Sequence, residues 1–386
     1  MRICLVYDCL YPYTVGGAER WYRNLGQQLA RQGHDVVYLT LRQWEPGYDP
    51  SYGGVRVIEV GPRMSLYDAD GTRRIAPPLV FGAGVLWHLL RHGRSYDTVH
   101  TASFPYFSLL AIALLRPLQG FTTVVDWHEL WTREYWEEYL GGTGGKVGWL
   151  VQRACVRARQ HAFCFSRLHE RRLHHERVNG PVTRLEGEYD ESPNPPDPVP
   201  PASPVVVFAG RHIPEKRAAA LVPAMKLLHE RRPELRCEIY GDGPARGAVL
   251  REIAEHELGD VVSAPGFVPR ERIDAALRGA LCMALPSQRE GYGLVVVEAS
   301  ARGTPTVVVS GPDNAATELV EEGENGYVAT SAEPGPLADA IERVADGGQE
   351  LRERTAAWYR RNARRLSLAS SLERVAESYR SASARS

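Results

Sequence analysis

"RICLVYDCLYPYTVGGAERWYRNLGQQLARQGHDVVYLTL", from Arg2 to Leu41, decides the fold class. It opens on "RICLVYD", a short apolar run bounded by turn chemistry, as expected of a strand buried in a parallel sheet. A helical period follows, with Trp21, Leu25 and Leu29 on one face and Gly33 closing it. "HDVVYLTL" is then a second strand. Strand, helix, strand in that order predicts a βαβ unit with a right-handed crossover. "VRVIEVG" (55–61), "YDTVHT" (96–101) and "TTVVDWHE" (122–129) read as further strands of the same α/β sheet.

The rhythm breaks at "DESPNPPDPVPPASP" (190–204), where seven prolines between Pro193 and Pro204 rule out a helix or an inner strand. It reads as a semi-rigid linker, with a surface loop inside one domain as the alternative. Beyond it the βα alternation resumes with "VVVFAG" (205–210), "AAALVPAMKLLHERRP" (218–233) and "RCEIYGDGP" (236–244). The expected organisation is a first domain over 1–190, a linker over 191–204 and a second domain over 205–365. Two doubly wound, Rossmann-like domains predict a cleft between the carboxyl ends of two sheets, where ligands bind.

Composition narrows the function classes. The 386 residues carry a net charge of −1, so no global field draws the chain to nucleic acid. Six cysteines show no CxxC and no regular spacing, which argues against a zinc site or a disulfide framework and fits a reducing compartment. "MRICLVYDCLYPY" lacks a signal-peptide pattern, and the apolar run "FPYFSLLAIALLRPL" is too short to span a bilayer. The expectation is a cytoplasmic protein, with peripheral contact to a membrane surface as an addition.

Four stretches could carry chemistry. In "REGYGLVVVEASARGTP" (289–305), Glu290 and Glu298 stand either side of a Gly-Tyr-Gly turn that opens a helix. The amides of Gly293, Leu294 and Val295 would be first-turn donors suited to a diphosphate, with Gly291 in the turn before them. Glu290 could accept from sugar hydroxyls and Glu298 from a ribose; a capping and a helix-face glutamate are the plain alternative. In "AGRHIPEK" (209–216), Arg211 and Lys216 follow a buried strand and could neutralise a diphosphate, with Glu215 orienting Lys216. Lys216 is conspicuous, because the only other lysines are Lys146 and Lys226. Two solvated charges at a strand end are the plain alternative.

Gly16 and Gly17 in "VGGAER" lie between the first strand and first helix, where backbone amides can approach a ligand. The motif is not GxGxxG, and no acidic residue closes the second strand as a dinucleotide fold requires. His128 in "VVDWHELW" could bond a substrate hydroxyl, or be structural. Asp68-Ala69-Asp70 lacks a supporting ligand pattern and is set aside as a metal site. Between Lys146 and Arg177 stand eight Lys or Arg, two Glu and four His. This run reads as a solvated face, with contact to anionic lipid or an acceptor rim as its alternatives.

Taken together these stretches resemble glycosyltransferase family 4, the retaining nucleotide-sugar enzymes of GT-B fold. "VGGAER", "AGRHIPEK", the E-x7-E of "REGYGLVVVEASARGTP" and "ATELVEEGENGYVA" (316–329) occur in that family's order. The resemblance implies that Gly16 and Gly17 face the donor phosphate from the first domain. Arg211 and Lys216 would bind the diphosphate with the Gly293–Val295 amides. Glu290 would contact the donor sugar, Glu298 the ribose, and His128 the reacting centre. Backbone near Phe267 and Val268, with Gly243 of "GDGP" nearby, would hold the base. The last helix, within 366–386, would cross back to the first domain. No metal or further cofactor is implied beyond the nucleoside diphosphate sugar, with UDP favoured over GDP. The acceptor would be a small molecule, a glycan or a lipid-linked hydroxyl or amine. One departure is "RLEGEYDE" (184–191), where the family commonly has an Asn-Gly-Val-Asp-like turn. A nucleotide-sugar 2-epimerase or hydrolase, and a silent nucleotide-sugar-binding partner, are the rival functions.

Overall fold

The computed structural model describes residues 1–14, 16–66, 74–190, 195–197 and 199–383, which divide into two compact units. Met1–Glu186 with Ala369–Ser386 forms the first, and Gly187–Leu368 the second. The set-aside Asp68-Ala69-Asp70 lies outside the described residues, as do 191–194 and Pro198 of the proline-rich stretch.

In the first unit the chain runs β1 (Arg2–Val6), α1 (Gly17–Arg31), β2 (Asp35–Leu41), β3 (Val55–Gly61), α2 (Ala76–His92), β4 (Thr98–Ala102) and α3 (Tyr106–Gln119). It continues through β5 (Thr122–Trp127), α4 (Arg133–Leu140), α5 (Gly142–Arg157), β6 (His161–Cys164), α6 (Arg167–His175) and β7 (Val182–Arg184). Among the described residues these strands make one parallel sheet in the order β3-β2-β1-β4-β5-β6-β7. Both faces are covered, which is why the strands read as near-continuous apolar runs. On one face Cys4, Val6, Val37, Leu39 and Val99 pack against Phe81, Val85 and Leu89 of α2 and Ile112 and Leu115 of α3.

The other face holds a buried polar cluster. His100 Nε2 stands 2.8 Å from Asp126 Oδ1, and both side chains are fully buried. Asp126 Oδ2 accepts from the Trp21 indole of α1 at 2.7 Å. His100 Nδ1 meets the hydroxyl of Tyr379 in α12 (Leu368–Ser383). The last helix is thus fastened to the first unit by a tyrosine aimed at a buried histidine.

In the second unit the order is β8 (Val205–Ala209), α7 (Leu221–Arg231), β9 (Arg236–Tyr240), α8 (Arg246–Glu255), β10 (Val262–Gly266), α9 (Arg270–Gly279) and β11 (Cys282–Leu285). Then come β12 (Arg289–Glu290), α10 (Leu294–Ser300), β13 (Thr306–Val309), β14 (Asp313–Asn314), β15 (Gly326–Ala329) and α11 (Pro334–Leu366), the last broken at Gly348. The main sheet is again parallel, ordered β10-β9-β8-β11-β13-β15, with β12 and β14 paired apart from it. The "AAALVPAMKLLHERRP" stretch is helical from Leu221; Ala218–Ala220 form a tight 3-10 turn before it.

The described prolines lie against this unit. Gln349 donates to the Val199 carbonyl, Arg352 to that of Pro200 and Arg360 to that of Pro195. Arg352, almost fully buried, also donates to the carbonyls of Ala280 and Arg278. Where the expected Asn-Gly-Val-Asp-like turn is missing, Tyr189 exchanges backbone bonds with Leu366 and Leu368. A Cβ on Gly187 would sit 2.0 Å from the Ser367 carbonyl oxygen, so only glycine fits between these two segments.

Removing the Tyr379 hydroxyl should leave His100 Nδ1 buried without that partner. Tyr379→Phe is expected to cost about 1–3 kcal/mol in chemical denaturation. Burial alone would raise the Asp126 carboxyl, but the neighbouring His100 and the Trp21 bond hold it below its ordinary value. A carboxyl depressed in the folded state stabilises above its unfolded value and loses that contribution as pH falls through the folded one. Asp126→Asn should therefore flatten the acid limb of the stability curve below about pH 4, measured by denaturation across pH.

Candidate functional site

In an open parallel sheet, ligands collect at the carboxyl ends of the strands where the winding reverses. In the second unit the chain goes from β8 outward to β9 and β10, then returns to β11 on the other side of β8. The reversal lies between β8 and β11. The loop after β8 carries Arg211 and Lys216, and the loop after β11 carries Glu290.

The two loops are joined through backbone and side chain. Gln288 N–H donates to the Glu215 carbonyl at 2.8 Å, drawing them together. Lys216 Nζ then donates to Glu290 Oε1 at 2.6 Å. The Glu290 side chain is 9% exposed and that of Lys216 23%, so the pair is sheltered but its cation can still be reached. The carboxylate that orients Lys216 is therefore that of Glu290, across the winding reversal, whereas the sequence pointed to adjacent Glu215. Arg211 is exposed, and its guanidinium makes no hydrogen bond or ion pair among the described residues. It stands two residues before Ile213, whose amide donates to the Arg211 carbonyl at 3.0 Å.

Glu290 is positioned by β12, which pairs Arg289 with Asp313 and Glu290 with Asn314 of β14. Asn314 was not singled out from the sequence, yet it anchors the corner. Its amide donates to the carbonyls of Ser287 and Val309 at 3.0 and 2.8 Å, and its oxygen accepts from Ala316 N. An asparagine ahead of an apolar turn is an N-cap signal, and that signal was available in "PDNAATE".

After Glu290 the chain turns through Gly291 and the buried Tyr292 to Gly293, which caps α10 at φ +102°. A Cβ there would lie 2.6 Å from that of Ala316. Glycine thus lets the helix start against the Asn314 turn, leaving the amides of Leu294 and Val295 in the first turn. Glu298 lies half-buried in the second turn, and its carbonyl accepts from Arg302 at 2.7 Å. Arg302 in turn donates to Asp274, which fixes the far end of α10.

A second corner forms beyond β9 and β10. Gly241 N–H donates to the Gly266 carbonyl, and His212 N–H to that of Asp242. Gly243, at φ +147°, lies so close to His212 that a Cβ would meet its carbonyl oxygen at 2.5 Å. Burial lowers the His212 imidazole below its ordinary value, opposed in part by the Tyr240 backbone and Asp242. Phe267 is 83% exposed and Val268 half-buried at the end of β10. The carboxyl edge of one sheet thus carries Val268, Gly243, Arg211, Lys216 and Glu290 on adjacent strands.

In the first unit Gly16 and Gly17 begin α1 after β1, next to the other winding reversal, between β1 and β4. Gly16 is extended at φ −165°, and a Cβ on it would strike the Glu19 carboxylate at 2.4 Å. His128 follows β5 and stacks on Phe165 at 4.6 Å and 3°, while Trp21 of α1 meets the same ring edge-on at 5.2 Å. The glycine loop's helix and His128 therefore share one aromatic support. Asp126, two residues before His128, holds Trp21 and His100 in place. Among the described residues no group of three or more His, Cys, Asp or Glu is placed to hold a metal ion.

Two family models match in tandem: "Glycosyltransferase Family 4" over residues 15–185 and "Glycosyl transferases group 1" over 194–363. The chain belongs to the GT-B glycosyltransferases. Its fold matches sucrose-phosphate synthase from Thermosynechococcus elongatus, with TM-score 0.78 and 20% identity over the whole of both chains. It also matches Anabaena HepE, solved with UDP, at TM-score 0.72 and 19% identity over 99% of this chain and 100% of that one. Among curated proteins it is 33% identical over 153 residues to alpha-D-kanosaminyltransferase of Streptomyces kanamyceticus, covering 40% of this chain and 39% of the relative. It is 35% identical over 162 residues to D-inositol 3-phosphate glycosyltransferase of Streptomyces griseus, covering 40% and 34%. The chain thus spans well under half the length of these curated relatives.

Because Gly293 is held in the left-handed region against Ala316, Gly293→Ala should strain the start of α10. A loss of about 1–3 kcal/mol is expected by thermal or chemical denaturation.

Proposed function

We propose that the chain transfers a sugar from a nucleoside diphosphate donor to a hydroxyl-bearing acceptor, with retention at the anomeric carbon. The observation that carries this reading is the Lys216–Glu290 pair at the β8/β11 reversal, beside the first turn of α10. A lysine already held by a carboxylate is a compact charge with flexible reach. On donor binding its Nζ would turn to the diphosphate, and Glu290 would be released to accept from the donor sugar's hydroxyls.

Arg211, with no competing anion, would supply a planar fork to the same phosphates, and the Leu294 and Val295 amides would add donors. Gly16 and Gly17, at the start of α1, would admit a phosphate close to the backbone. The corner of Gly243, Phe267 and Val268 would hold the base through backbone, and Glu298 the ribose. Uracil is the base we favour, supported by the UDP that HepE was solved with.

The chemistry needs little covalent help from the protein. The bond from the anomeric carbon to the diphosphate oxygen breaks as charge develops on that oxygen. The acceptor oxygen attacks from the same face, and its proton passes to the departing phosphate, which leaves as the nucleoside diphosphate. Lys216, Arg211 and the helix amides stabilise the developing charge where it forms, and positioning supplies the remainder. His128, stacked on Phe165, would hold a substrate hydroxyl at the end of β5.

Transfer from UDP- and GDP-sugars to a panel of polyol and glycan acceptors tests the reading. Lys216→Ala and Glu290→Ala should each lower kcat by at least about 100-fold with far-UV circular dichroism unchanged. Full activity in both would overturn it. Donor consumed at the same rate with acceptor omitted would instead point to an epimerase or hydrolase. In the transfer reaction, Lys216→Arg should recover only part of the rate, because a rigid fork does not reach as a point charge does.

A further inference from the structure

Helices α2, α3 and α5 lie side by side over one face of the first unit's sheet. Gly82 of α2 packs on the backbone of Phe107 in α3, and Gly93, just after α2, packs on Gln119. Cys155 of α5 reaches the Tyr106 carbonyl at the start of α3. Their inner sides fill the core, but their outer sides are not polar. Trp87 and Leu90 of α2 are 60% and 52% exposed, Leu114 and Leu118 of α3 are 66% each, and Val147 and Leu150 of α5 are 56% and 57%. Leu114 and Leu118 are four apart and Val147 and Leu150 three apart, so each helix shows a continuous apolar stripe. Exposed side chains of this size on three adjacent helices form a patch of the kind that marks an interaction surface.

The charge on these helices selects the partner. No aspartate or glutamate occurs in α2, α3 or α5, while Arg91, Arg116, Lys146, Arg153 and Arg157 do. Arg153 is paired with Glu176. Arg116, half-buried, has as its charged neighbour another guanidinium, that of Arg159, and burial together with Arg159 pushes it below its ordinary value. Arg91 lies over the Trp87 ring, the pairing of aromatic and cation found at a water–lipid boundary. The acidic side chains nearest in the chain stand on α4, between α3 and α5: Glu134, Glu137 and Glu138, of which Glu137 is paired with Arg133.

We infer that the outer face of α2, α3 and α5 rests on an anionic lipid surface, its leucines and Trp87 at the acyl boundary and its arginines among the headgroups. Amphipathic helices that lie in the interface combine these two features. A second copy of the chain is the rival occupant, and charge argues against it: a two-fold contact sets a patch against itself, placing arginine opposite arginine. No described helix is long and apolar enough to cross a membrane, so the contact is a resting one. This surface shares α5 with the basic run 146–177 marked out by the sequence and adds α2 and α3 to it. Within that run Arg172 donates to the Leu130 carbonyl and Arg153 is paired, so much of its charge is spent internally.

The test is co-sedimentation of the full chain with vesicles of equal parts phosphatidylcholine and phosphatidylglycerol, and with phosphatidylcholine vesicles alone. The protein should pellet with the mixed vesicles at least about tenfold more than with the neutral ones, and less so in high salt. The double variant Leu114→Asp, Leu118→Asp should remain in the supernatant with its circular dichroism unchanged. Should that variant unfold, Arg91→Gln with Arg94→Gln serves instead, both sites being exposed. The inference fails if the wild type stays in solution with both vesicles, or if the variants bind as it does. It also fails if light scattering shows a dimer that Leu114→Asp dissociates, which would assign the face to a second copy.

Discussion

The second unit is organised around one contact: a lysine ammonium 2.6 Å from a glutamate that is nearly buried. A pair of this kind is not a strong source of stability, because the desolvation of two ions largely cancels their attraction. Its placement is what matters. Lys216 and Glu290 are seventy-four residues apart in the chain and come together because β8 and β11 are neighbours where the sheet's winding reverses. Everything nearby maintains that contact: the Gln288–Glu215 backbone bond, the β12–β14 pairing, and Asn314 bonded to three backbone groups.

The first unit uses the opposite strategy, closing its ionisable groups off from water. His100, Asp126, Trp21 and Tyr379 form a polar cluster under the sheet, and it ties α12 to the strands that end near His128. Such a cluster is costly unless every member is satisfied, and it specifies one packing when it is. The two units thus spend charge differently: one hides it to fasten a helix, the other keeps it within reach at a strand edge.

Much of this organisation was legible in the sequence, because buried parallel strands announce themselves as apolar runs and their helices as a 3.6-residue period. "VRVIEVG" is β3, residue for residue. The Gly-Tyr-Gly turn and the helix after it were equally plain, since only glycine fits the φ of +102° at Gly293. What sequence could not supply was partnership across the sheet. Lys216 sits beside Glu215 in the chain but bonds Glu290, because strand order, not sequence distance, brings side chains together. Asp126 was missed as a support for the same reason: Trp21, which it holds, is 105 residues away in the chain. The apolar outer stripes of α2 and α3 were hidden too, since a helix apolar on nearly all sides reads the same whether its second face is buried or bare.

The central claim is that Lys216 is held by Glu290 in order to be passed to a diphosphate. Calorimetric titration of UDP and UMP into the wild type and Lys216→Ala addresses it directly, because the two ligands differ by the phosphate that Lys216 would bind. The account predicts that the wild type prefers UDP by at least about tenfold, and that most of this preference disappears in the variant, a change of about 1.4 kcal/mol or more. An undiminished preference for UDP in Lys216→Ala would contradict it.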